Sequence, residues 1–171
     1  MIANEYAKAL YELALSSSKE ELILEELKVF CDSLKENNEY IKLLTFPSIS
    51  NDRKKESLEV VLKEADLLLL NFVKVLIDNN RVNDIFDIYE GYYTLFLKDR
   101  NIVNVKVVSS DYLTEEEFNK MKTQLSKHYN REVVLENLID KSLIAGYKFI
   151  ANGEEVDFSI VNKISRLKKS I

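Results

Sequence analysis

The sequence has 171 residues, of which 46% are hydrophobic and 31% charged, proportions that are typical of a globular protein and exclude a disordered chain. Its net charge of −5 argues against broad nucleic-acid binding, because phosphate contacts need clustered Lys and Arg. Three Gly and one Pro are few breakers and favour long helices over a turn-rich β architecture.

The cellular setting is indicated by what the sequence lacks. Cys31 is the one cysteine, so no intrachain disulfide can form and a reducing compartment is expected. No apolar run approaches the roughly 18 residues of a transmembrane helix. The first residues resemble neither a signal peptide nor a transit peptide, so we expect a cytoplasmic, bacterial-type protein.

Residues 3–17 predict a first helix with two apolar rows, one more than a core requires. Its small side chains would let another backbone approach closely. The members of the two rows are Ala3, Ala7, Leu10 and Ala14 in the first, and Ile2, Tyr6, Ala9 and Leu13 in the second.

Three further helices are predicted at 18–36, at 38–45 before Phe46-Pro47, and from Ser50 or Asn51 onward. Cys31 lies beside the apolar row of the second of these and is expected to be a buried, inert thiol. Arg53-Lys54-Lys55 is expected on a solvated face. The expected core positions are Ile23, Leu27, Phe30, Leu34, Leu58, Val61, Leu62 and Ala65.

The stretch Leu67–Arg81 predicts a fifth helix that also has an apolar arc wider than a core stripe. Such a helix either lies in the middle of a bundle or lends its second face to a partner. Asp66 begins it, and Asn79-Asn80 ends it with residues that tolerate a left-handed cap. The core stripe is Leu69, Phe72, Val73 and Leu76, and the arc is widened by Leu68, Val75 and Ile77.

A sixth helix is predicted over residues 82–99, and Gly91 within it costs about 1 kcal/mol of helix propensity. A glycine at such a position indicates close packing against another element. The residues that would pack this helix are Ile85, Ile88, Tyr89, Tyr92 and Phe96.

The pattern changes near Arg100, after which alternation predicts strands at 102–109, 133–139 and 147–151. Thr114 and Glu117 form a capping box before a helix that carries Phe118, Met121 and Leu125. A last helix is predicted at 158–170, with Ile160, Ile164, Leu167 and Ile171 on one side. The fold class is therefore mainly α: a six-helix bundle at 1–100 followed by a small α/β domain at 101–171.

Motifs of catalysis and of cofactor or metal binding are missing from the sequence. It has no Gly-rich phosphate loop, no paired Cys or His ligands and no nucleophile elbow. Asp140 and Asp157 lie at turns, where Asp commonly bonds to its own backbone. His128, at the end of a predicted helix, is interpreted as structural. We therefore expect no catalytic residue, no cofactor and no metal.

Three segments resemble one known family in order and spacing. They are Tyr6-Ala7-Lys8-Ala9-Leu10-Tyr11-Glu12-Leu13-Ala14, then Asn71-Phe72…Leu76…Asn79-Asn80-Arg81, then Asp140-Lys141-Ser142-Leu143-Ile144-Ala145-Gly146 with Val156-Asp157-Phe158-Ser159-Ile160. The sequence resembles the delta subunits of bacterial F-type ATP synthase, relatives of the mitochondrial oligomycin-sensitivity-conferring protein, over essentially its whole length.

The resemblance implies a non-catalytic stator subunit, peripheral on the cytoplasmic face of the bacterial membrane and attached there only through the complex. The helical bundle would bind the N-terminal helix of an α subunit of the F1 head, between the first and fifth helices. The C-terminal domain would bind the b subunits of the peripheral stalk, through the last helix or the 133–150 region. The implied α-binding residues are Tyr6, Ala9, Leu10, Leu13, Phe72, Val75, Leu76 and Asn79.

Each of these residues could instead be ordinary core, and Leu10 and Leu76 are the ones for which core packing is favoured. Two other functions remain open from the residues alone. One is a helical adaptor with unrelated partners, which would not bind an α-subunit N-terminal peptide. The other is an enzyme using Asp140 and Asp157, which Asp→Asn variants would reveal.

Overall fold

A computed structural model of the protein describes residues 2–143, 147–151 and 154–155. The chain divides into two compact units, Met1–Phe96 and Leu97–Ile171, which we describe separately. The mainly α fold predicted from the sequence is confirmed. The helix predicted at 158–170 and the turn at Asp157 lie outside the described residues.

The first unit is built from helices, two of which begin at a side-chain N-cap. Asn37 and Asp66 are N-caps whose side chains accept hydrogen bonds from the backbone N–H groups of Tyr40 and Leu68. Ser18 and Asn80 adopt left-handed conformations, with φ of 53° and 54°, just after two of the helices. The helices are α1 (Ile2–Ser16), α2 (Glu20–Glu36), α3 (Asn38–Thr45), α4 (Asn51–Val61), α5 (Leu67–Asp78) and α6 (Ile85–Asp99), with a 3₁₀ turn at Val82–Asp84 before α6.

The core of this unit follows the predicted apolar rows. Tyr92 of α6 is fully buried, and its hydroxyl donates to the Glu20 carbonyl oxygen at 2.9 Å. Cys31 is buried as expected, and burial raises the pKa of its thiol to about 12, so the thiol is protonated and inert at neutral pH. The fully buried residues include Leu10, Ile23, Leu27, Leu34, Leu44, Leu58, Leu69, Leu76, Ile77 and Ile85.

Two predictions for α4 are wrong. Val61 was expected in the core but is 50% exposed, because α4 ends at this residue and Leu58 and Leu62 face the core instead. Lys54 was expected on a solvated face but is 2% exposed. It lies one turn before Leu58 on the same side of the helix, so its aliphatic stem packs with the core row.

The second unit is a four-stranded sheet with one described helix. β1 is central: it pairs in parallel with β2, from Val103 opposite Val133 to Ser109 opposite Ile139, and antiparallel with β3. The helix begins with the predicted capping box of Thr114 and Glu117. The two-residue strand β4 was not predicted. The elements are β1 (Val103–Ser109), α7 (Glu115–Tyr129), β2 (Val133–Ile139), β3 (Tyr147–Ala151) and β4 (Glu154–Glu155), in the sheet order β2-β1-β3-β4.

The core of the second unit lies between one face of the sheet and α7. Alternate residues of β1 are buried, as the alternation in the sequence predicted, and Met121 and Leu125 of α7 pack against them. Phe149 of β3 is buried in the same cluster, with 1% of its surface exposed. The members of this core are Val103, Val105, Val107, Met121, Leu125, Val133, Leu135 and Phe149.

Asn137 of β2 joins three parts of this unit. Its Oδ1 accepts from the Leu113 N–H at 2.9 Å, while its Nδ2 donates to the Val107 carbonyl at 3.1 Å and to Ser109 Oγ at 2.6 Å. We expect Asn137→Ala to lower the free energy of unfolding by about 2 kcal/mol, because part-buried donors and acceptors lose their partners. Urea unfolding of the full chain tests this, with exposed Asn119→Ala as control, and equal midpoints for the two variants would contradict it.

A candidate interaction surface on α1 and α5

The second apolar row of α1 and a matching row of α5 are only partly covered by the rest of the unit. Both rows follow the spacing i, i+4, i+7, i+11, which places their members on one side of each helix. Leu13 is 53% exposed and Val75 is 46% exposed, so each row has an apolar member that the rest of the unit leaves in contact with solvent. The rows are Ile2, Tyr6, Ala9 and Leu13 on α1, and Leu68, Phe72, Val75 and Asn79 on α5.

The two rows lie next to each other. The rings of Tyr6 and Phe72 meet edge to face, with centroids 6.3 Å apart. Lys19, three residues after α1, pairs with Asp66 at the start of α5, with Lys19 Nζ 2.6 Å from Asp66 Oδ2. The helices therefore run in opposite directions. We call the surface formed by these two rows the α1–α5 groove.

The predicted site residues fall into two groups in the structure. Leu10 and Leu76 are fully buried and belong to the core beneath the groove. Phe72 is 8% exposed, and with half-buried Tyr6 it lies between the helices. The remaining four, which are exposed, are Ala9, Leu13, Val75 and Asn79.

The exposed ends of the rows contain residues that the predicted site did not include. Ile2 is 49% exposed and extends the α1 row by one turn, and half-buried Leu68 does the same on α5. The repeating helical spacing was the signal that could have added both. Asn79 is partly engaged within its own helix, because its Nδ2 donates to the Val75 carbonyl at 2.8 Å.

A hydrogen-bonded network fixes the start of α5. The Glu26 carboxylate accepts from the Asp66 backbone N–H, at 2.9 and 3.1 Å from its two oxygens. Asp66 in turn accepts from Lys19 and from the Leu68 N–H, and these two hydrogen bonds, that of Lys19 first, lower the pKa of the Asp66 carboxyl.

This network predicts a pH dependence of stability. Because the pKa of Asp66 is lower in the folded chain, its contribution is complete above the unfolded-state pKa and is lost as pH falls through the folded one. Asp66→Asn keeps an N-cap side chain but removes the charge, so we expect about 0.5 kcal/mol less stability at pH 7. Unfolding midpoints of the variant and of the unaltered chain, measured from pH 7 into acid, test this: a difference that does not shrink as the pH falls would contradict it.

A second exposed apolar area lies between α2 and the end of α4. Val29 of α2 and Val60 of α4 are 66% and 77% exposed, and both line a shallow depression together with Val61. Glu25 and Glu64 also line it. Sequence reasoning missed this area because it placed Val61 in the core.

Side chains arranged for chemistry are not found among the described residues. No group of three or more His, Cys, Asp or Glu there could hold a metal ion. Asp140 Oδ1 accepts from Ser142 N at 2.9 Å and Ser142 Oγ at 2.6 Å, the local turn that was predicted for it. His128 is exposed at the end of α7 and contacts Tyr129. Nor is any described helix both long and apolar enough to cross a membrane.

Comparison with known proteins identifies the family. Residues 2–171 match the family model described as ATP synthase delta (OSCP) subunit. ATP synthase subunit delta of Clostridioides difficile (strain 630) is 28% identical over 173 residues, covering 100% of this chain and 96% of the relative. The subunit of the same name from Bacillus thuringiensis (strain Al Hakam) is 29% identical over 172 residues, with the same two coverages.

A solved structure has the same fold. A chain in the cryo-EM structure of the Toxoplasma gondii mitochondrial ATP synthase hexamer superposes with a TM-score of 0.79 at 18% identity, covering 99% of this chain and 96% of that one. The family match spans nearly every residue, including both groove helices and the sheet. The protein described here therefore belongs to the ATP synthase delta (OSCP) subunit family.

Proposed function

We propose that this delta-family subunit of ATP synthase binds the N-terminal helix of an α subunit in its α1–α5 groove. The strongest support is the pair of partly exposed rows on α1 and α5, which meet at the Tyr6–Phe72 contact. An amphipathic helix binds such a groove through anchors at i, i+3, i+4 and i+7, and so covers side chains such as Leu13 and Val75. The proposed contact residues are Tyr6, Ala9, Leu13, Phe72, Val75 and Asn79, with Leu10 and Leu76 supporting them from the core.

The second unit would bind the b subunits of the peripheral stalk. Its described part offers β2, where Leu138 is 43% exposed, as one half of the predicted contact region at 133–150. Each unit then has its own partner. In this proposal residues 1–100 hold the F1 head and residues 101–171 hold the stalk.

The proposed role is mechanical and non-catalytic. Rotation of the central rotor would carry the catalytic head with it unless the head were tied to the membrane sector. Such a link requires tight binding at both ends and no reactive group. In agreement with this, Asp140 accepts a hydrogen bond from nearby Ser142, and burial raises the pKa of the Cys31 thiol. The subunit would then lie at the cytoplasmic face of the bacterial membrane as part of the complex.

Calorimetric titration of the full chain with a peptide of about 20 residues from the start of the α subunit of the same organism tests this proposal. A helix of about 20 residues is about 30 Å long, enough to reach along α1 and α5. We expect saturable binding close to one to one. A folded chain that binds no peptide would contradict the proposal and favour a helical adaptor with other partners.

A further inference from the structure

α1 approaches α6 very closely at one position, Gly91. A Cβ atom built on Gly91 would lie 2.9 Å from the Cβ of Ala7 and 3.3 Å from Asn4 Oδ1. Carbon atoms in ordinary contact are about 3.5–4.0 Å apart, so even a methyl group would force the helices apart by about 1 Å. The missing side chain of Gly91 therefore sets how deeply α1 lies on α6.

The direction of that approach matters for the groove. Ala7 is fully buried and lies about 130° around α1 from the row of Tyr6, Ala9 and Leu13. Moving α1 away from α6 at Ala7 would therefore raise its exposed row outward, roughly in the direction that the row itself faces. The edge-to-face contact of Tyr11 with Tyr92, at 5.2 Å between centroids, also joins α1 to α6 and would change with it.

α5 is held from its other side. Lys55 of α4 pairs with Asp78 near the end of α5, with nitrogen and oxygen 2.6 Å apart, and Lys74 of α5 pairs with Glu59 of α4. These contacts connect α5 to α4 and not to α1. The height of the α1 row relative to the α5 row thus depends on the separation of α1 from α6.

We propose that Gly91 is a positioning residue for the groove: by letting α1 lie deep on α6, it keeps the exposed row of α1 level with the row of α5, so that one partner helix can contact both. This inference rests on the proposed binding of the α-subunit helix. Gly91 does not belong to either apolar row, so its effect on affinity would act through Ala7 and α1.

Three variants of the full chain test the inference: Gly91→Ala, Ala7→Gly and the double variant. Helix propensity alone would favour alanine at position 91, so weaker binding by G91A could not be ascribed to a weaker helix. We expect G91A to raise the Kd for the α-subunit peptide at least about fivefold. The double variant moves the methyl group from α1 to α6, and we expect its Kd to return to within about twofold of the original.

The outcomes separate the inference from the function on which it rests. If the unaltered chain binds the peptide and G91A binds equally well, Gly91 does not position the groove. A weak double variant would also overturn the inference, since the restored spacing should restore binding. A crystal structure of G91A tests the inference without the peptide: an unchanged position of the α1 row relative to the α5 row contradicts the inference even if the α-subunit peptide binds nowhere.

Discussion

Val75→Glu is expected to weaken binding of the α-subunit peptide by roughly a hundredfold or more in Kd while leaving the protein folded. Val75 is 46% exposed, so the free chain can hydrate a carboxylate there. Under a docked helix the same carboxylate would be buried without a partner, which costs about 3 kcal/mol or more, roughly a hundredfold in Kd. Calorimetry measures the affinity, and circular dichroism with urea unfolding checks the fold.

Val60→Glu is the matched control for this variant. Val60 is a more exposed valine, at 77%, on α4 in the same unit but outside the groove. We expect its Kd to be unchanged. Equal losses for V60E and V75E would indicate a general charge effect, and no loss for V75E would exclude the groove.

V75E should also reduce coupling in the complete enzyme. Because the contact between the groove and the α-subunit helix is weakened, we expect F1 to hydrolyse ATP while ATP-driven proton pumping falls in membranes that contain V75E. Coupled pumping at the original level, in a complex that retains the variant subunit, would contradict the proposed stator contact.

Leu10→Ala should lower stability and Leu13→Ala should lower affinity, although the two leucines are less than one helical turn apart. Leu10 is fully buried, so its truncation leaves a cavity and should lower the free energy of unfolding by about 2–5 kcal/mol. Leu13 is 53% exposed, so its truncation should change stability by less than about 0.5 kcal/mol and weaken peptide binding instead.

Urea unfolding and calorimetry on the two variants provide the measurements. If L13A destabilises the chain as strongly as L10A, the second row of α1 is ordinary core. If L13A changes neither stability nor affinity, Leu13 does not belong to the binding surface.

The sequence predicted the seven described α-helices and the three longer strands because apolar spacing reports directly on burial. Three-residue and four-residue spacing located α5, and strict alternation located β1. Capping residues also identified the ends of helices, as Thr114 did for the start of α7 and Asn80 for the end of α5. These signals reside in neighbouring residues and need no knowledge of tertiary contacts.

Other features depend on tertiary packing and could not be read from spacing. The sequence does not indicate that the aliphatic stem of a lysine will be buried, as that of Lys54 is. Val61 is exposed because α4 ends at this residue. The excess apolar rows of α1 and α5 indicated two unpartnered faces. The family resemblance predicted that these two faces are adjacent. In the structure, the Tyr6–Phe72 ring contact joins them.

The most direct test of binding in the α1–α5 groove is NMR mapping of the α-subunit peptide on the isotope-labelled full chain. We predict that the largest amide shifts occur along the two groove rows, at Tyr6, Ala9, Leu13 and Val75, and that they saturate near one equivalent. Shifts concentrated instead at Val29 and Val60 would place the partner between α2 and α4 and contradict binding in the groove.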